Sequence, residues 1–480
     1  MIKHKKQLFT FLLVFFLLGL IIFFSLGIEN KEYVIEYWFV LFSYIFVGIV
    51  FLFVISQKGA FLFEPIILIG LLFFMSYSVT PLLNILLGKT DSRGFYVMGG
   101  CITATAIYII SFISLLLGYY KKKKILSKKI SWNEPETIDY HDWNKRKYII
   151  IISYFWWFLG FIFFSIFFIN NGFSIKYVLS LGLLGEANVI NDISTSASGS
   201  LDFLYNFRFG MIASIIYLWR YGKQKKLYIV LYIITFMMLM TYGFRNVLVE
   251  MMIAPIVLYV ILKKKIPSIT SIFRIVIPII LMLSFVVTFR SSVRLGSGIS
   301  SIDWTDFDFG SIYDAFIENF DLHKSFYGIV EYIPKYHSFT NGQQLLWMTI
   351  TFLIPRSFWP GKPTSILDSL MVYIVGPLAV RGHTAMGTLA EYYGEFGILG
   401  CIIFCFLLGY FSSKTKSWYE SKNRTEDSMI AYSVLYPMFM LLSIRGYMPL
   451  NFMHILFLEI PVISIAILKH TRIKKNILKT

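Results

Sequence analysis

Tyr148-Ile-Ile-Ile-Ile-Ser-Tyr-Phe-Trp-Trp-Phe-Leu-Gly-Phe-Ile-Phe-Phe-Ser-Ile-Phe-Phe-Ile169 decides the fold class. It carries no charged side chain over the ~20 residues that a helix needs to cross a bilayer. Lys145-Arg-Lys147 stands immediately before it, the flank expected on the cytoplasmic side of a span. The pattern recurs along the chain. Apolar runs at about 8–28, 36–56, 62–83, 96–118, 203–219, 227–243, 247–262, 272–289, 386–411, 429–445 and 448–468 bring the expected number of spans to twelve. The reading is an all-α polytopic membrane protein.

Composition agrees. Of 480 residues, 57% are hydrophobic, 19% aromatic and 15% charged. A soluble domain carries ~25% charged residues, so a water-soluble enzyme is excluded, and so is a disordered chain. Cys101, Cys401 and Cys405 all lie in apolar runs, which excludes a disulfide framework and a Cys-rich metal site. No phosphate-binding loop, dinucleotide fingerprint or nucleophile elbow is present, so no nucleotide motor and no cofactor are expected. The first segment follows Met1-Ile-Lys-His-Lys-Lys6 as a signal peptide would. Its apolar run is too long and no small-residue cleavage site follows, so it is expected to stay as a span.

The formal charge of +17 is an orientation signal. With the N-terminus inside, the inner loops hold 29 Lys and Arg and the outer connections 14, with the acidic residues biased the other way. Both termini are then cytoplasmic, and nucleic acid is not an expected partner. The largest inner loop, 119–147, reads as a basic anchor on anionic membrane lipid. Three regions follow: 1–289, a nine-helix membrane region with a Ser/Gly-rich outer loop at about 170–202; 290–385, a long external loop; and 386–480, three C-terminal spans. Within the long loop, 311–333 and 343–354 have the spacing of short interfacial helices.

Arginine marks the outer face. Only four of the inner basic residues are Arg, against eight of the outer ones: Arg93, Arg208, Arg245, Arg290, Arg294, Arg356, Arg381 and Arg445. A guanidinium fork grips phosphate oxygens in pairs, whereas lysine suffices for an anchor that snorkels to headgroups. Several of these arginines sit at outer helix ends, the depth of a lipid pyrophosphate. Ile354-Pro-Arg-Ser-Phe-Trp-Pro-Gly-Lys-Pro363 is too rich in proline for a helix and fixes Arg356, Trp359 and Lys362 in a stiff loop. Arg381-Gly-His383 then leads to Glu391 and Glu395, one helical turn apart at the outer end of the 386–411 span. Carboxylates at that depth are functional candidates. Glu391 could orient a hydroxyl, act as a base or pair structurally with an arginine. Asp303-Trp-Thr-Asp-Phe-Asp308 reads as an exposed acidic turn, His323 and His337 as lone structural histidines, and Glu459 as an acid facing the bundle interior.

Twelve spans, a long late outer loop, outer arginines, Pro355-Arg-Ser-Phe-Trp-Pro-Gly-Lys-Pro363 and Gly387-Thr-Leu-Ala-Glu-Tyr-Tyr-Gly-Glu-Phe-Gly-Ile-Leu-Gly400 together resemble the Wzy-type polymerases of O-antigen or capsular repeat units. The architecture matches over nearly the whole chain and the motifs over about 240–400. The resemblance implies a GT-C-like glycosyltransferase of the bacterial cytoplasmic membrane. It would act at the outer leaflet on undecaprenyl-pyrophosphate-linked oligosaccharides, alongside flippase and chain-length regulator proteins. It further implies catalytic roles for His383, Glu391, Arg356 and Arg381. Substrate contacts would fall to Arg245, Arg290, Arg294, Trp359, Lys362, Glu395 and Arg445. Two alternatives stay open: a lipid-linked oligosaccharide flippase, and an O-antigen-ligase-like transferase with a different acceptor.

Overall fold

The computed structural model describes residues 2–25, 33–57, 63–92, 95–96, 98–121, 143–170, 204–240, 245–263, 320–351, 354, 359, 386–420 and 426–477. These are almost entirely helical, as a bilayer requires of backbone that must satisfy its own hydrogen bonds. In chain order they form α1 (Ile2–Ser25), α2 (Val34–Ser56), α3 (Pro65–Leu86) and a small hairpin pairing β1 (Asp91–Ser92) with β2 (Phe95–Tyr96). Next come α4 (Cys101–Tyr120), α5 (Trp143–Asn170), α6 (Gly210–Tyr221), α7 (Lys225–Met240), α8 (Arg245–Lys263) and α9 (Leu322–Tyr332). The short α10 joins a π-helical stretch, Gln343–Met348, to Thr349–Thr351; it is followed by α11 (Thr388–Tyr419), α12 (Glu426–Leu435), α13 (Met438–Ile444) and α14 (Met448–Ile477).

Among the described residues, seven helical stretches are long and apolar enough to cross a membrane: Val34–Ser56, Pro65–Leu86, Met98–Tyr120, Arg146–Phe167, Thr388–Tyr419, Glu426–Ile444 and Met448–Leu468. Each coincides with an expected span. Of the other five, 8–28 has Leu12–Ser25 as its apolar part, 227–243 corresponds to α7, 247–262 to α8, and 272–289 lies outside the described residues. The run at 203–219 is a composite: a 3₁₀ turn, Tyr205–Phe209, leads into α6. At the rises of the two helix types this composite is roughly 28 Å long, close to the ~30 Å of a hydrocarbon core.

The helices form two apolar cores. The first gathers α1–α4, α9, α11 as far as Leu408 and one face of α13. The second gathers α5–α8, α12 and α14. The closest pairing is α4 with α11, where small residues let the backbones touch. A Cβ at Gly118 would stand 2.0 Å from the Phe406 carbonyl oxygen, and one at Gly409 would stand 2.0 Å from that of Leu115. Ser114 Oγ adds an interhelical bond to the Ile402 carbonyl, 2.7 Å. In α3 the helix widens to a π-turn at Met75–Val79, just before Pro81. Pro81 has no N–H for the preceding turn, and the wider register takes up that break. The two ends of the bundle are called outer and inner below, after the sides to which the lysine bias assigns them.

Candidate functional site

The span expected at 386–411 is not a straight helix. Phe396 (φ −138°) and Gly397 (φ 63°, ψ −147°) interrupt α11. Cys401 Sγ approaches the Leu389 carbonyl to 3.6 Å, although twelve residues of straight helix would separate them by roughly 18 Å. The segment 388–395 is therefore a short leg folded back against the long arm that begins after Gly397. Tyr392 and Phe404 pack ring to ring across the fold at 5.1 Å. Backbone at φ 63°, ψ −147° is open to glycine alone, so Gly397 makes the reversal. Periodicity placed Glu391 and Glu395 at a span's outer end; the structure puts both on this leg, fully buried.

Each carboxylate caps another element. Glu395 accepts the Gly342 N–H on Oε2 at 2.6 Å and the Leu345 N–H on Oε1 at 3.0 Å. These are among the unsatisfied donors at the start of α10, where a negative charge also meets the helix dipole. Two backbone bonds dock the same loop on the leg: Thr340 N–H to the Gly394 carbonyl, 3.1 Å, and Asn341 N–H to the Glu395 carbonyl, 2.9 Å. Glu391 Oε1 accepts the Met448 N–H at 2.9 Å, the first donor of α14. The Gly446 N–H bonds the Met386 carbonyl at 2.9 Å. The link 445–447, which carries Arg445, is thus pinned to the leg.

The other expected site residues divide in two groups. Trp359 packs edge-on against Trp347 of α10, ring centroids 6.4 Å apart. Glu395 therefore supports α10, and α10 in turn packs against Trp359. Arg445 is half-buried between α13 and α14, with its carbonyl bonded by Asn451 at 2.9 Å. Arg245 begins α8. Arg290, Arg294, Arg356, Lys362, Arg381 and His383 lie outside the described residues, as does Asp303–Asp308.

Two clusters escaped the sequence. His323, read as a lone histidine, lies with Asn84 and Asp321. The Asn84 amide donates to Asp321 Oδ1 at 2.8 Å and stands 3.3 Å from His323 Nε2. Burial pushes the imidazole down to about 4 against the opposing pull of Asp321, so it is neutral at ordinary pH. In the second core, His454 stacks on Phe209 with centroids 3.7 Å apart and has Nε2 2.9 Å from Glu250 Oε2. The guanidinium of the fully buried Arg208 covers the same Phe209 ring at 4.4 Å. Asn84 and Asp321 are 237 positions apart, and Arg208 and His454 more than that, so no local pattern joins them.

A family model, O-antigen polysaccharide polymerase Wzy, matches residues 8–476. No curated protein and no solved structure matches the chain.

Proposed function

Because the chain belongs to the O-antigen polysaccharide polymerase Wzy family, we propose that it joins lipid-pyrophosphate-linked oligosaccharide repeat units at the outer leaflet of the cytoplasmic membrane. The observation that carries this reading is the extent of the match, which runs from α1 into α14 and takes in every span-forming helix. In the proposed reaction, a hydroxyl oxygen on the non-reducing sugar of an incoming unit attacks the anomeric carbon of the growing chain. A new C–O bond forms there as the bond to the lipid pyrophosphate breaks. The bonding pair leaves with the pyrophosphate and the hydroxyl proton passes to a base. The leaving pyrophosphate supplies the driving force, which suits a chain with no nucleotide motif.

In this proposal Arg356 and Arg381, with Arg245, Arg290, Arg294 and Lys362, neutralise charge developing on the leaving group, an electrostatic contribution of the oxyanion-hole kind. His383 or Glu391 takes the acceptor proton. Trp359, seated on Trp347, offers a flat face to a sugar ring. Glu395 and Glu391 hold α10 and the Arg445 link in register around that reaction.

Gene deletion followed by gel analysis of surface polysaccharide tests the reading. Loss of the long-chain ladder, with single repeat units still displayed, is the expected result. Units trapped on the cytoplasmic side would instead make the protein a flippase, and an intact ladder would remove both.

A further inference from the structure

Arg208, Glu250 and His454 meet in the second core, all three buried, and the reaction proposed above gives none of them a role. We propose that Glu250 and His454 are positioning residues. They fix the starts of α8 and α14 against each other, and with them the separation of Arg245 and Arg445. The role rests on the polymerase reading, in which outer arginines meet the lipid pyrophosphate. Each residue lies just below the outer start of its element. Glu250 is five residues into α8, which begins at Arg245, and His454 is six residues into α14, which follows Arg445. At the helical rise these are roughly 8 and 9 Å along their helices, a common depth. Arg208 stands in the 3₁₀ turn that opens the composite span. There His454 Nε2 is 2.9 Å from Glu250 Oε2, and the Phe209 ring receives both the imidazole, at 3.7 Å, and the Arg208 guanidinium, at 4.4 Å.

Adhesion alone does not call for such residues. Apolar side chains would join the same helices without the cost of desolvating charge, and replacing a buried pair in that way is often neutral or stabilising. What a contact between a carboxylate and an imidazole adds is register, because it is made at one spacing only. The paths of the helices show where register is needed. α8 packs chiefly on α12 and α7, the latter also through the Tyr232 hydroxyl on the Met251 carbonyl at 3.1 Å. The Glu250–His454 contact ties it to α14 as well. One turn before His454, the buried Asn451 amide donates to the Arg445 carbonyl at 2.9 Å. A chain of contacts thus runs from Glu250 through His454 and the first turns of α14 to the backbone that carries Arg445. Phe207, beside Arg208, packs edge-on against Phe457 at 4.8 Å and seats the third element on the same stretch of α14.

Two measurements on the full-length protein in nanodiscs test the role, each taken per folded molecule. Inorganic pyrophosphate, followed by phosphorus line width, reads the arginines without turnover; isolated lipid-linked repeat units read turnover. The variants are Glu250→Gln, His454→Phe, which keeps a ring on Phe209, and the pair Glu250→Leu with His454→Leu, which keeps apolar packing. If charge alone mattered, Glu250→Gln would make this end more positive and tighten pyrophosphate binding. Positioning predicts the opposite sign. A misplacement of about 1 Å can cost ~100-fold in rate, so turnover should fall roughly tenfold or more in all three variants, with pyrophosphate bound about fivefold more weakly. The proposal is overturned if the wild-type protein leaves pyrophosphate sharp, if Glu250→Gln tightens binding or leaves it unchanged, or if the Leu pair binds and turns over as wild type does. Wild-type protein that binds pyrophosphate with this dependence but makes no polymer would remove the polymerase reading and leave the positioning role.

Discussion

Buried carboxylates tie distant parts of the chain together at both ends of the bundle, but they choose different partners. At the inner end Glu64 is met by the Lys416 ammonium and the Tyr119 hydroxyl, the latter at 2.7 Å. Glu426 is met by Arg220 and by the Tyr221 hydroxyl at 2.9 Å, while Arg146 reaches the Tyr221 carbonyl. The Tyr432 hydroxyl then crosses from α12 to the Phe63 carbonyl, just before α3, at 2.6 Å. At the outer end Glu391 and Glu395 bond backbone N–H groups at helix starts. A side-chain ion pair holds helices that already have their path, whereas a capping carboxylate decides where a helix begins. The inner end is built as a clamp; the outer end is built to shape loops.

If chemistry belongs to the outer end alone, the largest loss of polymer comes from the arginines of its long loop. Arg356→Ala and Arg381→Ala are each expected to leave the protein inserted at wild-type level and to abolish long-chain polysaccharide. Full-length ladders from both variants would break the site assignment. Gly397→Ala comes next. It forces a side chain into backbone that costs about 1–3 kcal/mol for any residue but glycine, with its Cβ 3.1 Å from the Phe339 ring. Polymer should fall at least tenfold and the leg should become a protease target; a wild-type ladder and cleavage pattern would contradict the fold-back.

The third comparison separates capping from catalysis. Glu395→Ala removes two backbone acceptors and should destabilise the start of α10 by about 1–2 kcal/mol. Hydrogen exchange at residues 342–345 reads that change directly, and a several-fold drop in polymer should accompany it. Glu391→Gln keeps an acceptor for the Met448 N–H and loses only basicity. If Glu391 positions α14, the Gln variant retains polymer and Glu391→Ala does not; if Glu391 is the base, both variants lose polymer.

Membrane class and, among the described residues, the seven helices long and apolar enough to cross were legible because apolar length and flanking charge are local properties. Glu391 and Glu395 were also legible as residues, since charge at membrane depth stands out. Their geometry was not. The motif contains Gly394, Gly397 and Gly400, and periodicity cannot tell which of them permits a reversal; φ 63° at Gly397 does. Among the described residues the expected helices at 311–333 and 343–354 are met by α9 and α10, with Pro334 just past the first and the left-handed Gly342 just before the second. Asn84 with His323, and Glu250 with His454, needed three-dimensional proximity and had no signal in the sequence beyond polar residues in apolar surroundings.

The smallest effect on polymer is expected at the inner clamp, and it is the sharpest test of the contrast between the ends. Lys416→Met leaves Glu64 buried without its cation. Removing one partner of a fully buried pair costs about 3–5 kcal/mol. Here Lys416 keeps 16% of its side chain exposed and Tyr119 still donates to Glu64, so roughly 1–3 kcal/mol is the fitting scale. Glu64→Gln should cost less, because the amide oxygen can still accept from Tyr119 and no uncompensated charge remains. Both variants should lower the thermal midpoint, Lys416→Met more, while polymer per folded molecule stays within about twofold of wild type. The reverse outcome, an unchanged midpoint with lost polymer, would mean that the inner end takes part in the reaction cycle. The Lys416–Glu64 pair would then do more than hold the bundle together.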